Sequence, residues 1–346
     1  MTINDIAAKA KLSRGTVDRV IHNRGGVSKK NETLINSLIK KYDFKINQAA
    51  SLLAKTKEYK IVTLIPGNED VFWESPALGV EKASSKIKMF GFKVINYRFS
   101  QTEVNTYLKS FDKLLNEKPD GIILVPAFRK ATKSILKKIE AAKIPYIFLN
   151  INLNSYNNLS YVGEDSYKSG FLAGKLLHTC LGDKPNFLTV KVAAEFNNEA
   201  ILNRLKGFDG YFLKEKIETT SVSITFQSVK SKTIVSEKIN TILELNPEIE
   251  GIFVPSGKVG LIASLVNRKN IKIIGYDTTP LNLKYLNNKK ITFLISQKSF
   301  NQGFDSIIYM RDFILNKINP KKANLSPIEI ITKENLEFSK QNTIES

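Results

Sequence analysis

A chain of 346 residues with 42% hydrophobic content is long enough for two or three domains and apolar enough to core them. No apolar run approaches the roughly 18 residues of a membrane helix, and charged residues interrupt every N-terminal stretch that might resemble a signal peptide. The single cysteine, Cys180, excludes an intramolecular disulfide, and with those absences it points to a cytoplasmic protein with no membrane partner.

The formal charge is +19, and residues 1–60 hold 13 Lys and Arg against 5 Asp and Glu. That density suits phosphate contact in the head. The excess in the body is read equally well as compositional bias.

The first elements are two short amphipathic helices. Ile3, Ile6, Ala7 and Ala10 recur on one face, and Thr2 with Asp5 makes a capping-box-like start. Lys11-Leu12 turns the chain, and Ser13 caps a second helix that buries Val17, Val20 and Ile21. Arg14, Gly15, Thr16, Asp18 and Arg19 stay near its start or on its outer face. In a helix-turn-helix that end enters the major groove. Ser28 caps a third helix to about Lys41, with Leu34, Ile35, Leu38 and Ile39 buried. The segment 48–54 is too short to be a stable helix alone.

Residues 6–28, IAAKAKLSRGTVDRVIHNRGGVS, resemble the head of the lactose-repressor (LacI/GalR) family, and 47–54, NQAASLLA, is similar to that family's hinge segment. The resemblance implies a transcriptional regulator, most often a repressor, that binds double-stranded palindromic operator DNA as a homodimer. It implies that Arg14 and Gly15 set operator preference. Gly15 has no side chain to read with, so Arg14 carries the reading through guanine O6 and N7. Thr16 suits a phosphate or thymine methyl, and Arg19 a phosphate or base edge. Asp18 either accepts from cytosine or pairs with Arg14 one turn earlier. His22 fits a backbone or phosphate contact, and Thr2, Ser13, Asn23, Arg24 and Asn47 complete the DNA-facing set. By resemblance Leu53 wedges into the minor groove and Ala50 lets the hinge lie close; the alternative is that Leu52 and Leu53 pack against protein.

From residue 60 short β-rich runs alternate with helical patterns of 10 to 18 residues. The runs fall at 61–66, 94–99, 121–126, 146–149, 159–163, 186–192, 222–226, 251–255, 272–275 and 292–296. This predicts α/β architecture with parallel sheets in two lobes. It resembles the periplasmic-binding-protein fold of the family's effector domain. The expected organisation is a helix-turn-helix head at 1–46, a hinge helix and linker at 47–59, and a two-lobe body at 60–338. Lobe 1 takes 60–162 and 296–320, and lobe 2 takes 163–295 and 321–338, with the last crossing near Pro320. A flexible polar tail follows at 339–346, without the heptads of a tetramerising coiled coil.

Ligands of open α/β sheets bind beyond the carboxyl ends of strands. Phe72-Trp73 follows the first strand as an exposed aromatic platform for a sugar ring; the alternative is that both are simply core. Asn150 and Asn152 follow the fourth, where relatives often carry aspartate at the first position. Arg204, in a segment similar to the family's arginine-containing helix start, offers a fork to two hydroxyls or a carboxylate. Asp277 accepts from vicinal hydroxyls, and Gln297 adds an amide. Ser256-Gly257 stands where many relatives have Asn-Asp. The expected effector is therefore a sugar, sugar acid or other sugar derivative.

No cofactor, metal site or enzyme activity is expected. His178 beside Cys180 has no ligand spacing, no P-loop or GxGxxG follows a strand, and the carboxylates form no acid–base pair. Two alternatives remain at this point: a two-lobe solute-binding protein without regulatory DNA binding, and a constitutive DNA binder whose body only dimerises.

Overall fold

The computed structural model describes residues 3–21, 25–42, 58–67, 69–153, 155–192 and 198–341, except the side chains of residues 3, 4 and 339–341. The chain divides at Glu58/Tyr59 into a helical head and an α/β body.

The head consists of α1 (Ile3–Ala10), α2 (Arg14–Ile21) and α3 (Lys29–Lys41). Ile6, Ala7, Ala10, Val17, Val20 and Ile35 form its core, with Leu12, Ile21, Val27, Leu38 and Ile39 against it. Leu34 is a correction to the expected stripe: it is 41% exposed, because its neighbour Ile35 takes the inward position. Ser28 caps α3 by accepting from Asn31 N. Between α2 and α3, Gly25 and Gly26 take φ of +68° and +74°, a left-handed turn that a side chain would strain.

The body opens with β1 (Tyr59–Pro66), a short 3-10 turn at Val71–Trp73, α4 (Glu74–Ile87) and β2 (Phe92–Phe99). α5 (Val104–Asn116), β3 (Gly121–Leu124), α6 (Arg129–Ala141), β4 (Tyr146–Leu149) and β5 (Ser160–Gly163) complete the first βα series. The second runs α7 (Ser166–Leu181), β6 (Asn186–Val192), α8 (Glu199–Glu215), β7 (Thr220–Phe226), α9 (Lys232–Leu245), β8 (Gly251–Phe253), α10 (Val259–Leu265), β9 (Lys272–Tyr276), α11 (Pro280–Asn287) and β10 (Phe293–Ser296). Then come α12 (Ser299–Asn316), β11 (Ala323–Leu325), β12 (Glu329–Ile331) and α13 (Leu336–Gln341).

Two sheets share one strand plan, β2-β1-β3-β4-β5-β11 and β7-β6-β8-β9-β10-β12. Every pairing is parallel except β12 against β10. The central strands are buried on both faces, as β3 and β4 show with four buried residues each. The chain passes between lobes after β5, after β10 and after β11.

That last passage corrects the expected boundary near Pro320. β11 pairs in register with β5, Ala323 beside Tyr161 and Leu325 beside Gly163, so residues 323–325 belong to the first lobe. Lys321 O accepts from Ser160 Oγ, and Asn324 Nδ2 donates to the same hydroxyl at 2.9 Å. The chain leaves the first sheet at Ser326-Pro327, and Ser326 N still donates to Gly163 O.

Each lobe is buttressed by one intimate helix pair. α7 crosses α8 where a Cβ on Gly170 would sit 1.9 Å from Arg204 O, and one on Gly207 would sit 1.9 Å from Tyr167 O. In the first lobe α4 crosses α12 in the same way, with Gly79 2.0 Å from Phe300 O and Gly303 2.0 Å from Pro76 O by that measure. These crossings fix the helix starts from which Arg204 and Gln302 reach toward the space between the lobes.

Candidate functional site

In the head, Ser13 Oγ accepts from Thr16 N at 3.2 Å and lies 2.9 Å from Thr16 Oγ1. The cap frees the N-terminal turn of α2 to present Arg14 and Gly15, both exposed, with Arg19 exposed one turn later. Gly15, Asp18, Arg19, Gly25 and Gly26 line a shallow concavity. The arrangement can offer a guanidinium, a hydroxyl and free helical N–H groups to a polyanion. Asp18 is half-buried. Thr2, His22, Asn23, Arg24, Asn47, Ala50 and Leu53 lie outside the described residues.

In the body, the residues expected to face an effector are largely brought together, but they bind one another. Asn150, at φ +65° after β4, donates from Nδ2 to Gln297 Oε1 (2.9 Å) and to Gln302 Oε1 (3.0 Å). Asparagine is among the few non-glycine residues that adopt this left-handed backbone readily. Gln297 donates from Nε2 to Asp277 Oδ1 at 2.8 Å. Gln302 Nε2 donates to Gln297 O at 2.8 Å. A continuous amide–carboxylate chain thus runs from β4 of one lobe, through the passage after β10, to β9 of the other.

Asp277 itself sits at φ +69° and is held by Asn282, whose Nδ2 donates to Gly257 O, Tyr276 O and Asp277 O, each at 2.9 Å. A Cβ on Gly257 would stand 3.0 Å from Asp277 Oδ2. The glycine therefore leaves room for this carboxylate. Burial pushes the Asp277 carboxyl up to about 7, against the opposing pull of Arg204 and of the Gln297 hydrogen bond.

Arg204 is 4% exposed. It donates from Nε to Glu164 Oε1 at 2.7 Å and from Nη1 to Pro255 O at 3.0 Å, with Nη2 2.6 Å from Glu164 Oε1. Its guanidinium lies 3.8 Å from the centre of the Tyr276 ring. Burial, the largest single influence, pulls its pKa down, but Glu164, Tyr276 and Asp277 together outweigh it and hold the group charged. Around it, Glu164 Oε2, Ser169 Oγ and the Tyr276 hydroxyl are buried with no hydrogen-bond partner among the described residues. Such atoms mark unspent polar capacity.

The two lobes also meet at the rim. Asp70 pairs with Lys258 at 3.5 Å and Arg129 with Glu199 at 3.8 Å. Ser256 is buried, and its hydroxyl serves its own turn by accepting from Lys258 N at 3.5 Å. Asn152 is exposed and stands apart from the amide chain.

The exposed aromatic platform is a correction. Trp73 is 1% and Phe72 9% exposed, packed edge to face at 4.9 Å on the 3-10 turn that Asp70 caps. Large aromatic area next to a strand end was drawn into the core. Sequence reading missed Glu164, Gln302 and Asn282. Glu164 directly follows β5, so the strand-end rule that picked Asn150 would have found it; Gln302 and Asn282 lie inside helices and gave no comparable signal.

Comparison with known proteins closes the question of kind. Residues 61–317 match the periplasmic binding protein domain family, and residues 2–47 match the bacterial regulatory proteins of the lacI family. The chain belongs to the LacI family of transcriptional regulators. It is 25% identical over 287 residues to the ribose operon repressor of Halalkalibacterium halodurans, covering 81% of each chain. It is also 25% identical over 152 residues, 44% of each chain, to catabolite control protein A of Staphylococcus aureus.

The body shares its fold with GanP, a glucose-galactose binding protein from Geobacillus stearothermophilus. The TM-score there is 0.70 at 22% identity, over 81% of this chain and 99% of the other. It matches equally well a solute binding protein from Actinobacillus succinogenes with bound D-allose, with a TM-score of 0.70 at 21% identity, over 81% of this chain and all of the other. LacI-family regulators are transcription factors rather than enzymes. Among the described residues no helix is long and apolar enough to cross a membrane.

Proposed function

We propose that this LacI-type ligand-responsive regulator represses transcription by binding a palindromic operator as a two-fold dimer, and that a neutral polyhydroxyl sugar in the interlobe cleft is its effector. The observation that carries the effector reading is the polar make-up of the cleft. Among the described residues, three cations at or across the cleft are each matched to a carboxylate: Arg204 with Glu164, Lys258 with Asp70, Arg129 with Glu199. Asp277, Gln297 and Asn150 supply the alternating acceptors and donors that vicinal hydroxyls use. A sugar acid or sugar phosphate would need an uncommitted cation to offset its desolvation. The name of the ribose operon repressor, similar over 81% of the chain, supports a pentose as the first ligand to try.

On the DNA side, Arg14 reads one base pair of each half-site, and Arg19 and the residues flanking α2 hold phosphates. Two hinge segments carrying Leu53 over Ala50 open the centre of the site. Effector-driven closure shifts the population between hinge-ordered and hinge-loose states. The test is thermal melting of the full chain with neutral sugars, sugar acids and sugar phosphates. A ligand at a hundred times its dissociation constant adds about 2.7 kcal/mol of stability. A selective shift with a neutral sugar is expected; a shift confined to acids or phosphates would contradict the charge argument.

A further inference from the structure

A polar cavity of ≈ 680 Å³ lies where the chain passes between lobes, lined by residues that flank the amide chain but include none of its members. Asn301, Asp305 and Tyr309 line it at successive turns of α12, and Ala323, Asn324, Leu325 and Ser326 line it from β11 and the final passage. Lys298 and Glu329, from the second lobe's end of the hinge, complete the wall.

Two lysines and two carboxylates line the cavity, and among the described residues only Lys298 and Glu329 form an ion pair there. Lys298 is neutralised by Glu329 at 2.6 Å. Asn324 spends its Nδ2 on Ser160 Oγ and Lys321 O. Asp305 is half-buried, and its carboxylate forms no hydrogen bond or ion pair among the described residues. Burial raises its pKa with no opposing cation, and it raises that of Tyr309 one turn on. Lys321 also lines the cavity but is exposed, where solvent screens it, and it forms no ion pair with Asp305. The α12 wall of the cavity thus holds a half-buried carboxylate without an ion pair among the described residues, beside a tyrosine hydroxyl and an amide.

We infer that this hinge cavity binds a small molecule bearing a protonated amine, with the ammonium on Asp305 and its remaining N–H groups directed to Tyr309 and Asn301. A cation there supplies both the missing charge and the missing donors. The volume is that of a small-molecule site. Because the wall combines α12 and β11 of one lobe with Glu329 of the other, an occupant bears on lobe closure independently of the effector cleft. A protein of net charge +19 repels cations at large, so saturable amine binding would not be a general surface effect.

The experiment is calorimetric titration of the full DNA-free chain with a four-carbon series of matched size: 1,4-diaminobutane, 1,4-butanediol and succinate. Saturable binding is expected for the diamine alone, weakened at least tenfold in Asp305→Asn and unchanged in Asp183→Asn, an exposed carboxylate outside both sites. Asp305→Asn preserves shape, and an unaltered melting curve verifies that it folds. Binding of succinate or butanediol in place of the diamine would overturn the assignment, as would no saturable binding of the diamine or equal binding by Asp305→Asn. A sugar response in the melting experiment is independent of this outcome, so the two readings fail separately.

Discussion

Asp277 shows how much one side chain can report. Its carboxyl titrates near 7 in the folded chain, well above its ordinary value of 3.8. Between those two pH values the folded state keeps a proton that the unfolded state has lost, so this group's contribution to stability falls as pH rises through the window. Urea unfolding from pH 4 to 8 should therefore show the wild type losing stability relative to Asp277→Asn up to about pH 7 and running level with it above. Parallel profiles would refute the buried-carboxyl account. A hydroxyl donates to the ionised form, so sugar affinity should also strengthen across pH 7.

Trp73 shows where residue type misleads. An aromatic after a strand end reads as a ligand platform, yet here the indole is 1% exposed. Trp73→Ala should cost about 3–5 kcal/mol in unfolding free energy through the cavity it leaves. A loss below about 1 kcal/mol, measured by denaturant unfolding, would return the residue to the cleft surface.

At the scale of elements, the two Gly–Gly helix crossings set the site. A methyl group at Gly170 has nowhere to go but into the Arg204 carbonyl, so α8 must shift and carry the guanidinium away from Glu164 and the Tyr276 ring. Gly170→Ala should lower the melting temperature and weaken sugar binding together, while Gly182→Ala, where a Cβ meets no atom within 4 Å, tests backbone strain alone at φ +80°. Equal sugar affinity in wild type and Gly170→Ala would show that the crossing does not position Arg204.

Periodicity made the first ten strands readable, because buried parallel strands are short apolar runs separated by amphipathic helices. It failed at β11 and β12, each three residues long; Ala-Asn-Leu of β11 has no alternation and is held by Ser160, Asn324 and main-chain pairing to β5. Pro320 looked like the break, but the chain leaves the sheet only at Pro327.

For the whole molecule, the motifs at 2–47 and the alternation after residue 60 made the family legible, since groove docking and two-lobe winding both impose sequence patterns. The mutual bonding of the site residues was not legible. Asn150 stands 147 and 152 residues from Gln297 and Gln302, and only the fold decides whether each amide faces a ligand or a neighbour. If the chain is a ligand-responsive regulator, a sugar in the body changes what the head does to DNA. The direct measurement is fluorescence anisotropy on a palindromic duplex selected by the full chain from a random pool, with and without the sugar that raises its melting temperature. Saturating sugar should change operator affinity by roughly 5-fold or more, as a coupling of roughly 1–3 kcal/mol requires. A sugar that binds the body and leaves operator affinity unchanged would contradict it.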